Sequence, residues 1–190
     1  MRLVLASASP RRLDLLARIG VTPDAVIPAD VDESIPKGEL PRSHALRLAR
    51  EKARAVALRE PDALVLAADT VVAVGRRILP KVEDEATLRA CMRLLSGRRH
   101  RVLTGVALVL PGGEVRERLG ETMIAMKYLN DDEIHYYASH GEWRGKAGGY
   151  ALQGYGEVYV RHIAGSYSNV VGLPLAQTRV LLKSAGYPIA

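Results

Sequence analysis

The sequence predicts an α/β protein: a mixed β-sheet flanked by helices, with a ligand cleft where loops gather at the strand ends. Three observations predict it. Strand-like and helix-like segments alternate through the first half of the chain. The run "ALVLAADTVV" is apolar on both sides of a single aspartate, which suits a buried central strand. Two long strand-like segments then flank "PGG", the clearest antiparallel hairpin signal in the chain.

The elements follow in order. Residues Arg2–Ser7 read as a strand, and Ser9-Pro10 as the N-cap and first position of a helix. Leu13, Leu16 and Ile19 recur at helical spacing, and Gly20 suits the stop. A short strand at Ala25–Pro28 leads into the polar loop "VDESIPKGELP". A long helix is expected from about Arg42 to Arg59, with Leu46, Ala49, Ala53 and Val56 inward and Arg47, Arg50 and Arg54 outward. After the central strand, "EDEATLRACMRLLSG" carries acids in its first turn and Gly97 at its end, a helix. The hairpin strands are His100–Leu110 and Glu114 to about Lys127. Asn130 and Glu133 stand in capping-box spacing ahead of another helix. The Gly-rich run "GEWRGKAGGYALQGYG" reads as a loop with a strand beginning inside it, "EVYVRHI" as a strand and "AGSYSNVVGLP" as a loop. Pro174–Ala185 completes the chain as an amphipathic helix.

With 190 residues, 48% of them hydrophobic and 25% charged, the chain can bury a sizeable core. No apolar run approaches the roughly 20 residues of a membrane helix, so no membrane partner is expected. Cys91 is the only cysteine, which rules out an internal disulfide and a cysteine metal site and fits a cytoplasmic protein. It falls on an apolar helix face and reads as core rather than nucleophile. The five histidines are scattered, His44, His100, His135, His140 and His162, so zinc is not expected. Phenylalanine is absent and aromatics are 5%, poor support for a platform that stacks successive bases. The formal charge of +6, from 27 basic and 21 acidic residues, points toward polyanions or simply a solvated basic surface.

Position decides more than total charge. Arg11 and Arg12 lie in "SASPRR", where a helix begins and its dipole already disfavours cations. An anion offsets that charge, and a strand–turn–helix junction presents backbone N–H groups to one. Arginine adds planar, multidentate donors for phosphate oxygens. The turn lacks the glycines and the Gly-Lys-Ser/Thr ending of a Walker A loop, and an ordinary surface helix start is the alternative. Asp69 interrupts the buried strand, so it is expected at the strand's end, serving a cation, a metal, a catalytic proton or a structural ion pair. Asp32 and Glu33 in "VDES" are carboxylates of the kind that hold Mg²⁺ beside phosphates. Lys52, Lys81 and Lys146 are each ordinary taken singly, although the glycines around Lys146 permit close approach of backbone to a ligand. Gln153 carries an amide able to read a base edge.

The segments "LASASPRRLDLL", "VDES", "LAREKA", "AADTVV", "LSGRRHRVLTGVAL", "GEWRGKAGGYALQG" and "GSYSNVVGLPL" resemble, in order, the signature segments of the Maf family. The resemblance covers nearly the whole chain and implies one Maf-like domain over residues 1–190. It implies the inosine triphosphatase-like fold, an elongated mixed sheet in two lobes with a central cleft. It implies metal-dependent hydrolysis of a nucleoside triphosphate to the monophosphate and pyrophosphate, using Mg²⁺ or Mn²⁺. In that pattern Asp69 matches the general base and, with Glu33, the metal site. Ser7, Arg12, Glu33, Lys52 and Lys81 match polar positions around the phosphates and metal. Arg11, Thr70 and Gln153 match the branch acting on dTTP and UTP, and Lys146 joins them as a substrate-binding residue. The branch acting on 7-methyl-GTP has a bulky aromatic near Arg11, Gln after the Asp and Ser-Glu near the last motif, none of which is present. One departure is visible: Val82 follows Lys81 where the family usually has proline, which puts the shape of that loop in question. A homodimer, and no stable nucleic-acid complex, are further implications. The competing expectations are the same chemistry on other or modified nucleotides, or a non-catalytic regulator of division that binds nucleotide or nucleic acid.

Overall fold

A computed structural model describes residues 1–189. Strand β1 (Leu3–Leu5) is followed by α1 (Pro10–Ala17), β2 (Ala25–Val26) and the long helix α2 (Pro41–Ala57). The central strand β3 (Leu64–Val74) turns into β4 (Arg77–Leu79), then β5 (Lys81–Val82) and α3 (Glu85–Leu95). The hairpin β6 (Arg99–Val109) and β7 (Val115–Met126) precedes α4 (Asp131–His140) and β8 (Lys146–Ala147). Strand β9 (Val160–Ala164), α5 (Tyr167–Val171) and α6 (Leu175–Ser184) complete it.

The main sheet runs β2-β1-β3-β6-β7-β9, with β4 added to β3. Its first strands are parallel and the rest antiparallel, which makes the predicted mixed sheet. Side chains alternate across the pleat, so β3 serves both faces. Leu64, Leu66 and Ala68 pack with Leu15 and Leu16 of α1 and Leu181 and Leu182 of α6. Val65 and Ala67 face Ala49, Ala53 and Val56 of α2 on the opposite side. Farther along, Val72, Val102 and Ile124 pack under α3 and α4 through Leu88, Met92, Leu95, Ile134 and Tyr137. One face of the sheet is therefore covered at one end by α1 and α6 and at the other by α3 and α4. The interval between these two lobes is the cleft.

Helix α2 approaches the sheet closely because β6 has no side chain at Gly105. A Cβ there would lie 2.3 Å from the Ala45 carbonyl oxygen. The capping box at Asn130 and Glu133 forms as expected.

Several local expectations needed correction. In α1 the inward residues are Leu15 and Leu16, while Leu13 is exposed. In α2 the inner face carries Ala45, Leu48 and Lys52 besides the alanines and Val56, and Leu46 is only half-buried. Ser9 occupies the N-cap but its side chain makes no capping bond. Residues Tyr155–Tyr159 form a 3-10 helix, which delays the last strand, and the expected loop 164–174 contains α5. Cys91 is buried among apolar side chains, and burial pushes its thiol pKa up. Among the described residues, no helix is long and apolar enough to cross a membrane.

Candidate active site

The open edge of β3 creates the site. Strand β6 covers one edge of β3 from Val65 to Ala73. On the other edge β1 pairs only as far as Leu66, with Ala6 N–H reaching the Leu66 carbonyl, and β4 pairs only from Val72. Residues 67–71 are left uncovered there, and the cleft opens against them. Asp69 thus lies mid-strand in β3, not at its end as expected. What ends beside it is β1, whose short length uncovers the edge. The pleat sends Asp69 toward α2 and its neighbour Thr70 toward the opposite face.

A cavity of about 350 Å³ occupies this place, and it is lined by Ser7, Arg11, Arg12, Glu33, Lys52, Asp69, Thr70, Lys81, Lys146 and Gln153. The structure therefore brings together all but one of the residues that the sequence nominated for catalysis, substrate or metal. Asp32 is the exception among the weaker candidates. Its carboxylate turns back to accept from the Ser34 N–H and hydroxyl, both at 2.9 Å, so it shapes the loop that aims Glu33.

The centre of the site is a chain of alternating charge. Lys52 Nζ lies 2.6 Å from Asp69 Oδ1 and 2.6 Å from Glu33 Oε1, and Lys81 pairs with the other oxygen of Glu33. Lys52 and Asp69 are both buried, with side chains 10% and 6% exposed. A charge this far from water persists only when paired, which is why the mid-helix Lys52 turns inward. Burial alone would raise the Glu33 pKa. The hydrogen bonds from Lys52 and Lys81 outweigh it and hold Glu33 down at about 2.

The side of the cleft that carries Ser7 and Arg12 is equally well organised. Ser7 Oγ accepts from Ser9 N–H at 3.1 Å and from Arg12 Nη1 at 3.0 Å, which leaves the Ser7 proton free to donate. Arg12 Nε donates to the Gly172 carbonyl at 2.9 Å, across the cleft from its own helix. Burial lowers the Arg12 pKa, and the field of Asp69 opposes that shift. Burial also lowers Arg11, and for Lys146 the charge of Arg11 adds to the effect of burial. Several cations thus share one cleft with fewer anions than they need.

The loops bearing Lys81 and Lys146 hold one another. Strands β5 and β8 pair in register Lys81↔Ala147 and Val82↔Lys146, and Gly145 N–H donates to the Val82 carbonyl at 2.8 Å. Val82, the departure from the usual proline, is fully buried and packs into the core of the second lobe. The shape of that loop is set by this ladder. Lys146 Nζ donates to the Glu142 carbonyl, and the Glu142 carboxylate accepts from the N–H groups of Tyr155 and Gly156. Glu142 thereby braces the segment that presents Gln153.

Sequence reasoning missed Tyr150, Thr104, Asn169 and Glu142. Tyr150 walls the cleft and bonds His100 Nε2 at 2.7 Å. Burial holds His100 down at about 4, so its ring is neutral near pH 7. Thr104 and Asn169 lie fully buried behind Thr70. The only signal for them was the presence of polar side chains inside strand and loop segments that otherwise read as buried.

The chain is also similar to known proteins in sequence and in fold. A family model described as "Maf-like protein" matches residues 2–185. The chain is 60% identical over 187 residues to a dTTP/UTP pyrophosphatase of Novosphingobium aromaticivorans, covering 98% of this chain and 93% of that protein. It is 61% identical over 185 residues to a dTTP/UTP pyrophosphatase of Caulobacter vibrioides, covering 97% and 96%. Among solved structures, a HAM1 protein from Coxiella burnetii matches 97% of this chain and 100% of its own, with TM-score 0.54 at 18% identity. At that identity the likeness shows the fold alone.

Proposed function

The chain belongs to the Maf family, and from that premise we propose that it hydrolyses nucleoside triphosphates, dTTP and UTP foremost, to the monophosphate and pyrophosphate. The observation that carries the proposal is the Asp69–Lys52–Glu33–Lys81 charge chain in one cleft with Ser7 and Arg12. A triphosphate needs several cations to neutralise it and a carboxylate to manage a proton. An apolar binding pocket needs neither.

The donor set fits a hard divalent cation such as Mg²⁺ or Mn²⁺. Such ions take one or two protein carboxylates and fill the rest of their shell with phosphate oxygens and water. Asp69 and Glu33 both reach the same lysine nitrogen at 2.6 Å, so the two carboxylates that would hold the ion face one point of the cleft. When bound, the ion neutralises charge developing on the phosphate oxygens.

In this proposal the chain's own residues divide the work. Arg12, Lys52 and Lys81 gather around the triphosphate and stabilise negative charge passing to the leaving pyrophosphate. The free Ser7 proton donates to a phosphate oxygen. Asp69 accepts the proton of the water that attacks the α-phosphorus, a role that typically contributes about 10² to 10⁴-fold. Arg11, Thr70, Lys146 and Gln153 hold the nucleoside end, where Val72, Val102 and Leu152 supply an apolar wall. Residues 1–190 work as one domain, a cytoplasmic homodimer acting on free nucleotides rather than on nucleic acid.

The test is pyrophosphate release from a panel of nucleoside triphosphates, with and without Mg²⁺ or Mn²⁺. Metal-dependent release, fastest from dTTP and UTP, is the expected result. Salt-sensitive DNA binding without turnover overturns the proposal in favour of a binding protein.

A further inference from the structure

Thr70 and Thr104 are register partners on β3 and β6, and their hydroxyl oxygens lie 2.9 Å apart. A threonine hydroxyl has one proton to give and two lone pairs to receive. Thr104 gives its proton to the Asn169 carbonyl at 2.9 Å, an oxygen that can only accept. The bond between the two threonines must therefore run from Thr70 to Thr104. Asn169 is held in place in turn, because its amide donates to the Val102 carbonyl and to Thr122 Oγ1, both at 3.0 Å. Thr104, Thr122 and Asn169 are all fully buried, so bulk water does not compete for these bonds.

Thr70 is half-exposed on the cleft. Its proton is already committed backward, so it faces the cleft with lone pairs only. Building on the pyrophosphatase reading above, we propose that Thr104, anchored by Asn169, is a positioning residue that keeps Thr70 an obligate acceptor. The cleft thereby selects a base whose ring N3 carries a proton to donate. Uracil and thymine offer one at N3, whereas cytosine presents a lone pair there. An acceptor set against an acceptor leaves both unpaired in a partly dry site, and such mismatches discriminate strongly.

The test compares kcat/KM for UTP and CTP, read by pyrophosphate release, in wild type, Thr104→Val and Thr104→Ser. Valine keeps the shape of Thr104 and removes its hydroxyl, freeing the Thr70 proton to turn into the cleft. The Asn169 carbonyl keeps the Gly172 N–H at 3.1 Å, so the variant strands no buried acceptor. The UTP preference is expected to fall on the order of tenfold in Thr104→Val and to survive in Thr104→Ser. A folded Thr104→Val with the wild-type UTP to CTP ratio overturns the inference.

Should Thr104→Val not fold, the wild type supplies the second measurement. CTP and 3-methyluridine triphosphate, which both lack the N3 proton, are expected to turn over more slowly than UTP. Equal turnover of UTP and CTP overturns the inference while leaving the pyrophosphatase reading standing. Absence of turnover on both UTP and dTTP overturns that reading itself.

Discussion

Replacing Lys52 with methionine removes the ammonium shared by Asp69 and Glu33 while keeping a side chain of similar length. The two carboxylates respond differently. Glu33 is partly exposed and keeps Lys81, so losing Lys52 costs it little. Asp69 is 4% exposed, and its hydrogen bond is to Lys52. Breaking a buried pair by removing one partner costs about 3–5 kcal/mol, because a charge is left without compensation. The field between Arg12 and Asp69 remains, which places the expected loss near the lower end, about 3 kcal/mol. For a chain of this size that corresponds to a fall in Tm of about 6–12 °C. The assay is urea unfolding followed by the fluorescence of Trp143, the single tryptophan, which is buried in the second lobe. Adding Asp69→Asn to Lys52→Met should recover most of the loss, since an unpaired amide is cheaper to bury than an unpaired carboxylate. A loss under about 1 kcal/mol, the scale of an ordinary hydrogen bond, refutes the assignment of Lys52 as the counter-charge that allows Asp69 to be buried. A double variant no more stable than Lys52→Met refutes it as well.

Four further outcomes are expected. Asp69→Asn keeps an oxygen for Lys52 and should fold normally, yet pyrophosphate release should drop about 10² to 10⁴-fold; near-wild-type turnover removes Asp69 as the base. Glu33 titrates at about 2 in the folded chain instead of its ordinary 4.5. The unfolded chain therefore binds the proton first, so the stability from Glu33 is intact above about 4.5 and lost as pH falls toward 2. A Tm-versus-pH series should show a flatter acid limb for Glu33→Gln, and superimposable limbs count against the charge chain. Gln153→Ala should narrow the preference for pyrimidine over purine triphosphates, measured as kcat/KM ratios, and an unchanged profile excludes Gln153 from base reading. Gly105→Ala would place a Cβ 2.3 Å from the Ala45 carbonyl, and the resulting shift of α2 should cost about 1–3 kcal/mol in urea unfolding.

The sequence was most legible where local chemistry and tertiary role coincide. The capping box at Asn130, the "PGG" hairpin and the apolar run around Asp69 each carry their signal within a few residues, and each formed. It was least legible where burial set the outcome. Lys52 gave the pattern of a solvated helical lysine, because periodicity counts polar residues as outward and cannot register a partner carboxylate on a strand. Leu13 was expected inward and Leu15 was not, since a one-residue rotation of a short helix moves its inner face. Asp32 and Glu33 were equivalent in sequence, and only the turn that Ser34 closes on Asp32 separated their fates.

The sequence by itself determined which residue types were available for the chemistry and the order of the elements that carry them. The acid in an apolar strand, the paired arginines at a helix start and the Gly-rich segment around Lys146 were all readable without coordinates. The tertiary structure decided which of them meet, and how. Strand β1 ends early and β4 begins late, so β3 is open over residues 67–71. The pleat then assigns Asp69 to the face of α2 and its lysine, and Thr70 to the face of Thr104 and Asn169. Proton direction in that second network depends on a carbonyl from 65 residues farther along the chain than Thr104. No local pattern encodes such a contact, because it exists only once the sheet has placed β6 against α5.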